Sequence, residues 1–107
     1  MTESKLYGML GLAKRAGKVS TGAFICEKMI KSNRAKLVFL ASDASDNTKK
    51  SIKNSCEYYG VKMIEFSDME TLGHYTGGGD RAVISVNDDN FANAISDLYI
   101  LFETEKG

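Results

Sequence analysis

The sequence predicts an α/β fold in which a sheet is covered by helices on both faces. Apolar residues recur at helical spacing in several stretches, and short continuous apolar runs separate those stretches. With no proline in the chain, glycines and polar clusters mark the changes between them. Helical and strand-like segments in alternation imply a layered α/β architecture. The 107 residues suffice for one domain, spanning 1–107, with a continuous core that needs neither disulfide nor metal.

The first helix runs from Lys5 to Ala16, with Leu6, Met9, Leu10 and Ala13 on one face and Gly17 as its C-cap. Val19 reads as a short extended link. Ser20, Thr21 and Gly22 are candidate N-caps for a second helix ending at Lys31, its inner stripe formed by Ala23, Cys26 and Ile30. The run from Lys36 to Ala41 is apolar enough for a strand buried on both sides. After a turn at Ser42 to Ser45, a third helix extends from Asp46 to Tyr59 and stops at Gly60. Val61 to Phe66 forms a second strand. Ser67 or Asp68 caps a short helix reaching Gly73 or His74, and Tyr75 to Asp80 is a glycine-rich loop. Arg81 to Val86 is another buried strand, and Phe91, Ile95, Leu98 and Phe102 mark a C-terminal helix.

A composition of 43% hydrophobic and 26% charged residues excludes wholesale disorder. The longest apolar run, Leu37 to Ala41, is far below the ~18 residues of a membrane helix. Residues 1–5 show no apolar signal stretch, and Cys26 and Cys56 read as reduced, partly buried thiols, so the expected location is the cytoplasm. The monomer is the default expectation, because no apolar stripe beyond Phe24 and Ile25 lacks a place in the core.

Enzymatic constellations do not emerge. Gly11 to Lys18 imitates a phosphate-binding loop, but five residues separate its glycines instead of four. Val19 also stands where magnesium would need a hydroxyl, and a helix precedes the segment where a strand should. His74 is the only histidine, so no zinc pair exists, and a solvent-facing position explains it. Asp43, Ser45, Asp46 and Asn47 lack calcium-loop spacing and suit helix capping. Gly77, Gly78 and Gly79 either present amides to a phosphate or simply connect into the next strand.

Charge is the informative signal. Residues 1–36 hold eight Lys or Arg against two acids, a net +6, so in a neutral chain residues 37–107 carry −6. Such asymmetry suits an anionic partner on one face, although scatter over a solvated surface would also produce it. On the second helix Phe24, Lys28 and Lys31 fall at i, i+4 and i+7, away from the inner stripe. An aromatic sharing a face with lysines near a helix N-terminus suits phosphate binding with base stacking. The alternative is that Phe24 packs under the first or last helix while the lysines solvate. Arg15 and Lys18 flank the turn leading into this helix and favour binding.

The segment Lys14-Arg15-Ala16-Gly17-Lys18, then Gly22, then Ala35 to Ser45, resembles the bacterial YlxQ proteins. So do Asn47 to Lys50, Cys56 to Val61, and Leu72-Gly73, in order and over roughly residues 4–100. Those proteins belong to the kink-turn-binding ribosomal protein superfamily, also called the seven-Ae/thirty-e group. The resemblance implies a three-layer α/β/α sandwich with a mixed four-stranded sheet and no cofactor. It also implies a non-enzymatic, ribosome-associated RNA-binding protein whose second-helix N-terminus and loop before the last strand hold a sharply bent RNA. The superfamily motif of Gly, any residue, Asn, Glu, two variable residues and Lys aligns with Gly22 to Lys28. Gly22 and Lys28 match it, whereas Phe24 and Ile25 replace the Asn and Glu that contact guanines. Lys49 and Arg81 fall where relatives touch RNA, and Gly77 to Asp80 replaces a usually apolar loop. Phosphate contacts are thus expected to persist while base readout changes. The alternative is an adaptor for a ribosomal or transcription-factor protein, anchored by Phe24 and Ile25.

Overall fold

The computed structural model describes residues 2–106. Its elements, in chain order, are α1 (Thr2–Arg15), β1 (Val19–Thr21), α2 (Ala23–Lys31), β2 (Leu37–Leu40), α3 (Asp46–Tyr59), β3 (Lys62–Glu65), α4 (Met69–Tyr75), β4 (Val83–Val86) and α5 (Asp89–Lys106). The strands form one mixed sheet in the order β1-β4-β2-β3. β4 is antiparallel to both β1 and β2, whereas β2 and β3 are parallel, with α3 as their crossover. Helices α1, α4 and α5 pack together on one side; α2 and α3 pack on the other. The expected α/β/α arrangement with a mixed four-stranded sheet is therefore present.

Local chemistry sets most of the boundaries. Gly17 adopts a left-handed φ of 76°, and the Lys18 amide returns to the Ala13 carbonyl at 2.9 Å, closing α1. Ser45 caps α3 by accepting from the Thr48 amide, and Gly60 ends the same helix at φ 70°. Between Ser67 and Asp68, the cap of α4 is Asp68, which accepts from the Thr71 amide at 2.8 Å. β2 and β4 are buried at every residue, as expected of inner strands packed on both faces. The edges are short at β1 and charged at β3, where Lys62 and Glu65 are exposed, a pattern that discourages edge-to-edge pairing.

Several sequence expectations need correction. Val19 is not a link: Val19, Ser20 and Thr21 form an edge strand in register with Val86, Ser85 and Ile84. Ser20 and Thr21 accordingly do not cap α2; Gly22 does, without a side-chain hydrogen bond. The reason is tertiary, because Asn87 Nδ2 donates to Ser20 Oγ and Asn87 Oδ1 accepts from Ser85 Oγ, tying these polar residues across the strand pair. Lys36, Ala41, Val61, Phe66, Arg81 and Ala82 lie outside the paired strands, although Ala41 and Phe66 are buried beside them. α1 starts at Thr2, three residues earlier than its apolar periodicity predicts, because Thr2 Oγ1 donates to Glu105 at the end of α5. Cys26 and Cys56 are fully buried, not partly.

An aromatic cluster joins the α1/α4/α5 layer to the sheet. Tyr7 stacks on Tyr75 with ring centroids 4.6 Å apart, and Phe66 meets Tyr7, Phe39, Tyr99 and Phe102. Across the sheet, both carboxylate oxygens of Glu27 on α2 accept hydrogen bonds from α3, one from Ser51 and one from Ser55, each at 2.9 Å.

Two expected outcomes follow from this packing. α4 passes so close to the glycine loop that a Cβ on Gly73 would collide with the Gly79 carbonyl. Gly73→Ala should destabilise the fold by about 1–3 kcal/mol through overpacking. A thermal melt would register that as a midpoint lowered by several degrees, and an unchanged midpoint would show that the loop yields freely. Burial also pushes the Cys26 and Cys56 thiols up to about 11. Because the folded values lie above the ordinary ones, their stabilising contribution is complete below the unfolded thiol pKa near 9 and is lost as pH rises towards 11. At pH 8 both thiols should resist a disulfide reagent in native protein and react promptly in denaturant.

Candidate nucleic-acid interface

The register places four chain segments at one edge of the sheet. Thr21 pairs beside Ile84, and Leu40 lies between Val83 and Glu65, so β1, β2 and β3 all end where β4 begins. α2, α3 and α4 start from this edge, and the loop before β4 arrives there. The Gly22 amide donates to the Val83 carbonyl at 2.9 Å, and the Ala41 amide donates to the Ala82 carbonyl at 2.8 Å. Asp43 Oδ1 accepts from the Met69 amide at 2.9 Å, bracing the β2–α3 turn against α4. A rigid edge of this kind holds convergent loops in fixed positions.

Gly22 opens α2 at φ 94° and ψ 145°, a conformation costly to any residue with a Cβ. With no side chain capping it, the first turn of α2 presents backbone N–H groups and the positive end of the helix dipole. Phe24 is 72% exposed on that turn and Ile25 is 45% exposed, so Phe24 does not pack beneath α1 or α5. Lys28 Nζ lies 4.8 Å from the Phe24 ring centroid, a cation–π contact that holds both side chains on one face. A shallow groove lined by Ala23, Phe24, Glu27, Lys28 and Lys31 follows this side of the helix. Such a surface can accept a planar base against Phe24 while Lys28 meets a phosphate.

The other expected cations are distributed differently. Lys49, in the first turn of α3, lies 3.3 Å from Glu65, and Lys53 reaches the other oxygen of the same carboxylate at 3.5 Å. The hydrogen bond from Lys49 holds the Glu65 carboxyl below its usual range. Arg81 folds back over the glycine loop, where a Cβ on Gly78 would come within 2.5 Å of its Nη2. Its Nε is buried without a hydrogen-bond partner among the described residues. Gly78 and Gly79 are exposed beside it. Lys31, near the end of α2, makes an ion pair of 3.7 Å with Glu27.

Arg15 and Lys18 are not part of this edge. The Lys18 carbonyl accepts from the Asn87 amide just past the end of β4, and Val19 pairs with Val86, which puts both cations at the opposite edge. Proximity in sequence to α2 is misleading here, because β1 carries the chain across the sheet before α2 starts. The register thus brings Gly22, Phe24, Ile25, Lys49 and Arg81 to one edge, with Lys28 and Lys31 following along α2; Gly78 and Gly79 lie against Gly73 of α4, and Arg15 and Lys18 stand at the opposite edge. Sequence reasoning missed Glu27 and Glu65, the acids that hold Lys31 and Lys49; their spacings of four and sixteen residues carry a local signal only for the first. His74 is exposed on the last turn of α4, and the described residues contain no cluster able to ligate a metal.

Comparison with known proteins fits this arrangement. Residues 4–95 match the model of the ribosomal protein L7Ae/L30e/S12e/Gadd45 family. The RNA-binding protein YlxQ of Bacillus subtilis (strain 168) is 40% identical over 98 residues, covering 92% of this chain and 98% of that protein. The RNA-binding protein YlxQ of Enterococcus faecium is 40% identical over 95 residues, covering 88% and 90%. Among solved structures, a protein of unknown function from Bacillus halodurans superposes with a TM-score of 0.84 at 33% identity, covering 88% of this chain and 95% of that one. The 15.5kD RNA binding protein of Giardia lamblia shares the fold at 20% identity, with a TM-score of 0.77 and coverage of 96% and 88%. With its fold, its motif glycine at the head of α2 and these matches together, the chain belongs to the ribosomal protein L7Ae/L30e/S12e/Gadd45 family.

Proposed function

We propose that this chain is a non-enzymatic RNA-binding protein that recognises structured, kink-turn-like RNA, in association with the ribosome, through the start of α2 and the loop before β4. The observation that carries this reading is the exposed Phe24–Lys28 pair beside the uncapped first turn of α2, in a chain 40% identical to proteins named for RNA binding. Phosphate oxygens approach the free amides of that turn, where Gly22 allows the backbone to come close. Lys28 supplies the compensating charge. Phe24 stacks on an unpaired base, an interaction worth about 1–3 kcal/mol and tolerant of base identity. Phe24 and Ile25 offer no hydrogen bonds to base edges, so discrimination between bases is weaker than an Asn–Glu pair would give. Gly78 and Gly79 permit close backbone approach, while Arg81 and Lys49 meet phosphate only by leaving their present contacts.

The exposure of two adjacent apolar residues, Phe24 and Ile25, favours a second reading as a protein-binding adaptor of the translation or transcription machinery. The two readings separate under the double substitution Phe24→Asn and Ile25→Glu. In an RNA reader this change should strengthen kink-turn binding by about 1–3 kcal/mol per restored base contact, read by gel shift. In an adaptor it should leave RNA binding absent and abolish partner binding.

The primary test is a salt titration of binding to a kink-turn duplex and to the same duplex unbent. A preference for the kink-turn is expected, with Lys28→Ala lowering the salt slope by about 1. No binding to either duplex at low salt would remove RNA recognition from the account.

A further inference from the structure

The cations left out of the α2 N-terminal site form a surface of their own. Lys18 precedes β1 and Lys36 precedes β2, and both strands flank the same residue of β4, since Val19 and Leu37 each pair with Val86. The two lysines therefore emerge on either side of the end of β4, about 10 Å apart along the far edge of the sheet, where α1 ends with Lys14 and Arg15 and where Arg34 follows α2. All five are exposed, and none makes an ion pair with a described residue. The acids near this edge include Asp88, Asp89 and Glu57 in the last turn of α3; Asp88 is occupied by the Phe91 amide at 2.9 Å, and none of the three makes an ion pair with these cations. Compensation of helix dipoles does not absorb the excess, because the C-termini of α1, α2 and α3 carry only about −0.5 each and the N-terminus of α5 returns about +0.5.

This surface is continuous with the candidate site. The groove lined by Ala23, Phe24, Glu27, Lys28 and Lys31 adjoins a second one lined by Lys28, Met29, Lys31, Ser32 and Arg34, and the two share Lys28 and Lys31. The Arg34 amide donates to the Met29 carbonyl at 2.9 Å, which turns the chain back against the helix end and keeps Arg34 in line with the track. At 1.5 Å per residue, α2 extends this track by about 13 Å from one sheet edge towards the other.

We infer that the backbone of an RNA helix leading away from the site at Phe24 runs along α2 and is held at the far sheet edge by Arg34, Lys36 and Lys18. This inference rests on the RNA-binding reading and adds to it a second, sequence-independent contact that gives a role to three exposed cations without ion pairs, Lys18, Arg34 and Lys36. Affinity then depends on how much helix flanks the recognised element, not on that element alone.

The test uses full-length protein and two kink-turn RNAs, one trimmed to minimal stems and one with each stem extended by a helical turn. The triple variant Lys18→Ala, Arg34→Ala, Lys36→Ala alters exposed side chains only. For the extended RNA its salt slope should fall by about 2 to 3, at about 0.9 per lost phosphate contact, with roughly a tenfold or greater loss of affinity at low salt. For the trimmed RNA it should match wild type. Unchanged binding of both RNAs by the variant overturns the track and leaves recognition at Phe24 intact. An equal loss on both RNAs also overturns it, by placing these cations inside the minimal footprint. Polyglutamate that displaces the extended RNA as well as a matched duplex does would overturn RNA as the partner. Failure of wild-type protein to bind either RNA overturns the functional reading itself.

Discussion

The insertion of β4 between β1 and β2 is the constraint on which the rest of the molecule depends. β4 is the last strand in sequence and is buried at all four residues, yet it pairs with the first two strands and with antiparallel polarity on both sides. That polarity makes β4 begin where the other three strands end. The loop before it is thereby delivered next to the starts of α2 and α3, and its departure is directed to the far edge, beside Lys18 and Lys36. A parallel β4 would exchange those two neighbourhoods. The long sequence separation between β1 and β4 also makes the pairing entropically demanding, so it draws on the hydrophobic burial of both helical layers.

The two layers contribute differently. The α1/α4/α5 side is held by aromatic rings around Phe66, whose contacts are large in area and need no partner atoms. The α2/α3 side uses Glu27, whose carboxylate binds serines on α3 and so fixes the rotation of α2 about its own axis. With Cys26 and Ile30 facing inward and Glu27 clamped sideways, Phe24 and Lys28 have only the solvent face left. The exposure of an aromatic ring at the head of α2 is thus a consequence of how the other residues of that helix are satisfied. It is not a defect of packing.

Charge in this chain is organised by fold more than by sequence. Lys49 and Lys53 share Glu65, Lys31 is tied to Glu27, and Arg81 lies against a glycine backbone. Exposed pairs of this kind contribute little to stability, so their partners can be exchanged for phosphate at small cost. Lys14, Arg15, Lys18, Arg34 and Lys36, none of them in an ion pair with a described residue, collect at the other edge of the sheet. A neutral molecule consequently has lysines already engaged with protein acids at one edge and a group of cations without acid partners at the other.

The sequence by itself determined the features whose information is local. Apolar spacing set the inner faces of α1 and α2. Ser45, Asp68, Gly17 and Gly60 set helix ends because capping needs only neighbouring backbone, and β2 and β4 were legible as unbroken apolar runs. The motif around Gly22 and Lys28 was equally legible, together with the departure at Phe24 and Ile25. Only the tertiary structure decided that Val19 to Thr21 is a strand, since three residues with polar Ser20 and Thr21 have no periodicity to read. It also decided which cations stand near Phe24. Arg15 and Lys18 precede α2 by a few residues, yet a strand crosses the sheet between them and the helix, whereas Arg81 lies far along the chain and is brought back by the β1–β4 pairing. Such placement is a property of long-range register, and no local pattern of side chains encodes it.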